Sequence, residues 1–120
     1  YRNLDVCQRT YKLAKEIYKY SLNLPKQLQY DIADDIRRAS RSIPSNIAEG
    51  YGRNKSDKDK VNCLGDSIGS NDEMLFNINF LKDVGLIDEK MFEYFSQEYT
   101  ISGKQLFNLI AKIKKPDASN

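Results

Sequence analysis

An all-α, antiparallel up-down-up-down four-helix bundle is the fold that this 120-residue sequence predicts, as a single domain over residues 1–120. Three observations carry it. Apolar residues recur at spacings of three and four along the chain, with no sustained two-residue alternation. Leu24-Pro25, Gly50 with Gly52, Gly85 and Pro116 punctuate that pattern into four segments. The segments are long and the breaks short, which sets consecutive helices antiparallel and side by side.

The first helix is expected over about 5–22. At about 100° per residue, Val6, Cys7, Leu13, Ala14, Ile17, Tyr18 and Tyr20 share one half, and Lys12, Lys15, Glu16 and Lys19 lie on the other. An apolar half is wider than one bundle contact requires. Leu24-Pro25 closes the segment, because the residue before Pro avoids the helical region. The second helix is expected over about 26–49, with Leu28, Ile32, Ile36, Ala39, Ile43 and Ile47 as its stripe. That stripe stays in phase across Pro44, so a kink rather than a stop is expected there. Gly50 and Gly52 are expected to break the helix.

The third helix is expected over about 57–84, capped by Ser56 or Asp57, with Val61, Leu64, Ile68, Leu75, Ile78 and Leu81 as its core stripe. Gly85 ends it and Asp88 caps the fourth, over about 88–114. That helix is expected to bury Met91, Phe92, Phe95, Tyr99, Leu106, Leu109, Ile110 and Ile113, to end at Pro116 and to fray beyond it.

Composition removes most enzymatic equipment. The chain has no His, so Ser-His-Asp and Cys-His catalysis and mixed Cys/His zinc sites are excluded. Its two cysteines, Cys7 and Cys63, read as small core hydrophobes and cannot complete a four-ligand zinc site alone. The Glu-x-x-His motifs of di-metal carboxylate bundles are missing as well. No enzyme activity and no cofactor are expected. No apolar run exceeds three residues, so no membrane role is expected. Unpaired cysteines and the lack of a targeting pattern lead us to expect a cytoplasmic location.

The formal charge of +2 hides separated zones. Residues 37–60 hold seven basic and three acidic side chains, net +4; residues 71–98 hold two and seven, net −5; residues 99–120 hold four and one, net +3. Arg37, Arg38 and Arg41 share the face opposite the second helix's stripe, and Arg53 and Lys55 follow in the next loop. Such clusters pair phosphates and release counterions, so these five are the candidate nucleic-acid contacts. The competing reading is a solvated or subunit-facing cluster, since Asp31, Asp34, Asp35 and Glu49 lie close in sequence and no aromatic residues interleave the arginines.

Pro44, Asn46, Glu49 and Gly50 form a structural motif in this reading. Asn46 lies near the core stripe, where a buried amide would fix helix register, and Glu49 near the helix end is expected to meet a basic partner. Gly65, Gly69, Phe76 and Phe80 fall on one side of the third helix, away from its core stripe. Glycines inside a helix cost about 1 kcal/mol each relative to Ala. Close packing against another copy is the expected compensation, and exposed Phe beside them would be an unusual patch on a monomer. The alternative is a bent helix burying Phe80 against the turn at 84–87.

Ile36-Arg37-Arg38-Ala39, then Ser42-Ile43-Pro44-Ser45-Asn46-Ile47-Ala48-Glu49-Gly50 and Gly52-Arg53, resemble the bacterial four-helix-bundle proteins encoded by intervening sequences within 23S ribosomal RNA genes, the S23-type family. Leu24-Pro25 and Gly85-Leu86-Ile87 fit the same pattern; the stretch Gly65–Glu73 departs from it. The resemblance implies an antiparallel four-helix bundle assembled into a ring, typically a homopentamer, and brings no catalytic residues. The chain is also similar to accessory proteins of diversity-generating retroelements, basic pentamers that bind nucleic acid and a reverse transcriptase. The resulting expectation is a non-enzymatic homo-oligomer that contacts structured RNA or DNA through a basic face repeated around a ring. The alternative is a protein-interaction scaffold whose charges serve subunit contacts, with a protein partner and no nucleic acid.

Overall fold

The computed structural model describes residues 1–115, and the expected stop at Pro116 lies outside them. Four helices form an all-α bundle: α1 (Asp5–Leu22), α2 (Ile32–Gly50), α3 (Asp57–Asp83) and α4 (Glu89–Lys114). Each packs on the next in chain order and α4 closes back on α1, the most sparsely packed of the four seams. Ile17, Ile36, Ile43, Ile47, Leu64, Ile78, Leu81, Tyr99 and Leu106 are fully buried between them.

Helix α2 starts at Ile32, later than the stripe suggested. Lys26–Leu28 form a single 3-10 turn instead. The Gln29 amide explains the interruption, because it donates to the Ser21 and Leu24 carbonyls at 2.8 and 3.0 Å. It thereby satisfies acceptors that the end of α1 leaves open. The helix then runs through Pro44 and ends with Gly50 as its last residue, at the expected C-terminal break. A Cβ at Gly50 would stand 3.0 Å from Cys63 Cβ, and the missing side chain lets α2 and α3 approach closely there. Ser56 and Asp59 form a capping box on α3, and Asp88 accepts from the Met91 amide at 2.8 Å on α4. Gly85 takes φ +79° in the turn between them, where Leu86 N–H reaches the Leu81 carbonyl at 2.8 Å.

Helix α3 departs most from its expected stripe. Leu64, Ile78 and Leu81 are buried, but so are Ser67, Asn71, Met74 and Asn77, while Val61, Ile68 and Leu75 are only half-buried. Two of these polar core residues, Ser67 and Asn71, are held by cross-helix bonds. Ser67 Oγ donates to the Ile43 carbonyl at 2.8 Å, Asn71 Nδ2 donates to the Tyr99 carbonyl at 2.8 Å, and the Ser42 and Ser70 hydroxyls meet. Buried polar groups with partners fix the register of neighbouring helices.

Side-chain polarity fastens the sparse α1–α4 seam. Arg9 Nη1 lies 2.6 Å from Glu98 Oε1, Gln105 reaches Asp5, and the Tyr94 hydroxyl donates to Glu16 at 2.7 Å. On the same side the Tyr20 hydroxyl donates to the Leu86 carbonyl at 2.7 Å. Burial, reinforced by Asp88, pushes Tyr20 up to about 12 from its ordinary 10.0. Burial and then the bond to Glu16 push Tyr94 up to about 12 as well. Burial raises Tyr99 too.

A raised pKa means that the fold favours the neutral phenol, so these contributions are intact below the unfolded value and lost as pH climbs through the folded one. The urea midpoint is therefore expected to hold steady up to about pH 9 and to fall between about pH 10 and 12, with a shallower fall in Tyr94→Phe. A midpoint flat across that window would contradict the burial of these hydroxyls.

Candidate nucleic-acid interface

The five basic residues singled out in the sequence do not form one patch. Arg37 turns inward: its Nη1 donates to Ser21 Oγ at 2.8 Å and Gln29 Oε1 at 3.1 Å, and its Nη2 donates to the Gln29 carbonyl at 2.7 Å. Its guanidinium ties α2 to the end of α1. Arg38 stays exposed but sits among carboxylates of its own helix, 3.1 Å from Asp34 and 3.4 Å from Asp35. Arg53 and Lys55 stand exposed on the loop between α2 and α3, in no ion pair among the described residues. Arg41 opens onto a concavity.

That concavity is a groove of about 840 Å³ between α1 and α2. The spacing on α1 explains its wall: Tyr11, Lys15, Tyr18 and Lys19 follow one another at i, i+4, i+7 and i+8, which places them on one stripe. From α2 come Arg41, Pro44, Ser45 and Ala48, and the chain start adds Tyr1 and Arg2. Cys7 and Ala14 complete the small apolar floor. Four cations and no carboxylate line the groove among the described residues. Tyr11 and Tyr18 are 59% and 48% exposed, and Lys15 Nζ stands 4.9 Å from the centre of the Tyr11 ring.

Chemically, such a wall offers guanidinium and ammonium donors to phosphates and ring faces to planar groups. Along α2 no aromatic residue interleaves the arginines; the fold supplies the missing rings from α1. The sequence signal that could have found Tyr18, though not Tyr11, is the excess width of the apolar half of α1. Tyr18 belongs to the margin of that half, next to Lys15 and Lys19.

The segment around Pro44 is structural in its contacts. Pro44 is buried, and the nearby Ser40 and Ser42 hydroxyls donate to the Arg37 and Ala39 carbonyls. Asn46 is half-buried and its amide returns to the Ser42 carbonyl of its own helix at 2.9 Å, so it does not bridge helices. Glu49 has no basic partner among the described residues. Its Oε2 accepts from the Cys63 thiol at 3.7 Å, and burial followed by that carboxylate pushes the thiol pKa up.

On α3, Gly65 and Gly69 have open space where a Cβ would stand, and Phe76 and Phe80 are 69% and 45% exposed. Phe80 is therefore not buried against the turn at 84–87. Among the described residues no helix is long and apolar enough to cross a membrane, and no cluster of three or more His, Cys, Asp or Glu is placed to hold a metal.

The sequence model of the 23S rRNA-intervening sequence protein family matches residues 2–108. A crystal structure of a protein of unknown function, from the S23 ribosomal protein family of Bacteroides thetaiotaomicron, is 24% identical and superposes with a TM-score of 0.78. The superposition covers 88% of this chain and 94% of that one, and at this identity it speaks to the fold alone. No curated protein matches the chain.

Proposed function

The chain belongs to the family of 23S rRNA-intervening sequence proteins, and from that membership we propose a non-catalytic, self-associating protein that holds RNA or DNA by its phosphates. One observation carries the reading: Arg2, Lys15, Lys19 and Arg41 line the α1–α2 groove without a carboxylate among them. Cations of one sign gathered around a concave surface focus their field there and attract polyanions more strongly than scattered surface lysines, even though each of these four side chains is exposed. Arg53 and Lys55 extend the positive surface along the next loop, whereas Arg37 and Arg38 are engaged within the chain.

Self-association supplies the rest. The stripe Gly65, Gly69, Phe76 and Phe80 is exposed on a single chain, and a second copy would cover it. A ring of copies, five as the resemblance implies, repeats each groove around one particle, so weak individual contacts add through multivalency. Light scattering is expected to give a mass near five times 13.9 kDa. Phe76→Asp with Phe80→Asp is expected to reduce it to the single-chain value.

The direct test is fluorescence anisotropy with a labelled RNA at low salt. Lys15→Ala with Arg41→Ala is expected to weaken binding about thirtyfold, since two charged contacts at about 1 kcal/mol each sum to about 2 kcal/mol. Unchanged affinity in that double variant would remove the groove from the binding surface. A second reading, a protein scaffold without nucleic acid, is favoured by Arg38 being paired to Asp34 and Asp35. It predicts no RNA binding at any salt concentration.

A further inference from the structure

We infer that the α1–α2 groove takes an unpaired nucleic-acid strand, with bases laid on Tyr11 and Tyr18 and phosphates on Lys15, Lys19 and Arg41. The inference rests on the nucleic-acid reading above and narrows it from structured polyanions in general to single strands. Three features point the same way.

The first is the pairing of rings with cations. Tyr11 and Tyr18 are two turns apart on α1, about 10 Å along the helix axis, with Lys15 between them and Lys19 after them. A stretch of that length accommodates about two to three nucleotides at 3.4 Å or more per phosphate. Rings alternating with cations along one groove form the pattern of single-strand surfaces, because every base has a face to stack and every link a charge to meet. Both rings are half-exposed and pair with no other ring among the described residues, Tyr11 having only Lys15 Nζ 4.9 Å from its centre, whereas Tyr20 and Tyr94 pack against Phe95.

The second feature is the shape. A duplex turns its phosphates outward and keeps its base faces stacked within, so it could use the cations but not the rings. The third is the floor. Cys7, Ala14, Pro44 and Ala48 are apolar, and only Gln8 and Ser45 beside them carry uncharged polar side chains other than the tyrosines, so base-edge readout is expected to be limited to one or two positions.

The probes are a labelled oligouridine and a blunt RNA duplex carrying the same number of phosphates, each titrated with the full chain. The single strand is expected to bind on the order of tenfold tighter, and Tyr11→Ala and Tyr18→Ala each to weaken it by a further factor on the order of ten. Tyr11→Phe and Tyr18→Phe keep the ring and are expected to retain affinity. Both tyrosines are exposed enough for these changes to leave the helical circular dichroism intact.

Equal binding of strand and duplex, with the alanine variants unaffected while Lys15→Ala with Arg41→Ala loses affinity, overturns the inference and leaves the nucleic-acid reading standing. Failure of both probes to bind overturns both. A lower light-scattering mass in Tyr11→Ala or Tyr18→Ala overturns it in another way, by making the groove a contact between copies of the chain.

Discussion

Arg37→Ala is expected to lower the thermal unfolding midpoint by about 10 °C while leaving RNA affinity within about twofold. From the sequence, Arg37 stands beside Arg38 and Arg41 as one of three equivalent cations. In the fold it is not equivalent. Its three hydrogen bonds reach Ser21 and Gln29, and Gln29 in turn holds the Ser21 carbonyl of α1 and the Leu24 carbonyl just beyond it. Hydrogen bonds from a charged donor are worth about 1.5–3 kcal/mol each. Partial exposure and water replacement reduce the sum, so a net loss of about 2–4 kcal/mol is expected. Arg37→Lys is expected to recover little, because an ammonium lacks the planar fork that addresses Ser21 Oγ, Gln29 Oε1 and the Gln29 carbonyl together. Thermal melts by circular dichroism and parallel RNA titrations check both halves. A stable Arg37→Ala with lost RNA affinity would return Arg37 to the binding surface.

Phe95→Ala is expected to be the more damaging change, at about 3–5 kcal/mol. Phe95 is 2% exposed and belongs to α4 at the side facing α1, where helix contact is sparsest. Its ring lies 6.3 Å from Tyr20 and 5.3 Å from Tyr94 in tilted and edge-on arrangements. Those two tyrosines anchor the seam through Leu86 and Glu16, so the cavity would loosen polar contacts as well as apolar ones. Against a typical stability of about 5–15 kcal/mol, the loss is a large share. Urea unfolding measures it directly. Relief of the raised Tyr20 and Tyr94 pKa values should accompany it, moving the onset of alkaline unfolding in the variant. A loss below about 1 kcal/mol would mean that the seam collapses to fill the space.

How far the sequence could be read follows from where periodicity and polarity agree. Helices α1 and α4 were legible because Leu13, Ala14 and Ile17, or Phe95, Tyr99 and Leu106, repeat cleanly on one face. The stops were legible because Gly85 and Asp88 have local reasons to stand there. The start of α2 was not, because a polar side chain within the expected segment, Gln29, interrupts it by bonding to the Ser21 and Leu24 carbonyls. Nor was the core face of α3, since Ser67, Asn71 and Asn77 are turned inward and Phe76 and Phe80 outward, which nearly cancels the hydrophobic signal.

The candidate site was half legible. Arg41 could be named, but its neighbours Tyr11, Lys15 and Tyr18 come from another helix, and only the packing of α1 on α2 brings them together. Charge along one helix likewise cannot show that Arg37 is consumed by a turn eight residues earlier.

Salt dependence tests the central claim most directly. With Lys15, Lys19 and Arg41 meeting phosphates of a single strand, log affinity for oligouridine against log salt is expected to fall with a slope of about −2. Removing Lys15 and Arg41 together should flatten that slope by about 1.4. No detectable binding at low salt, or a slope that the double variant leaves unchanged, would contradict a phosphate-binding role for this groove.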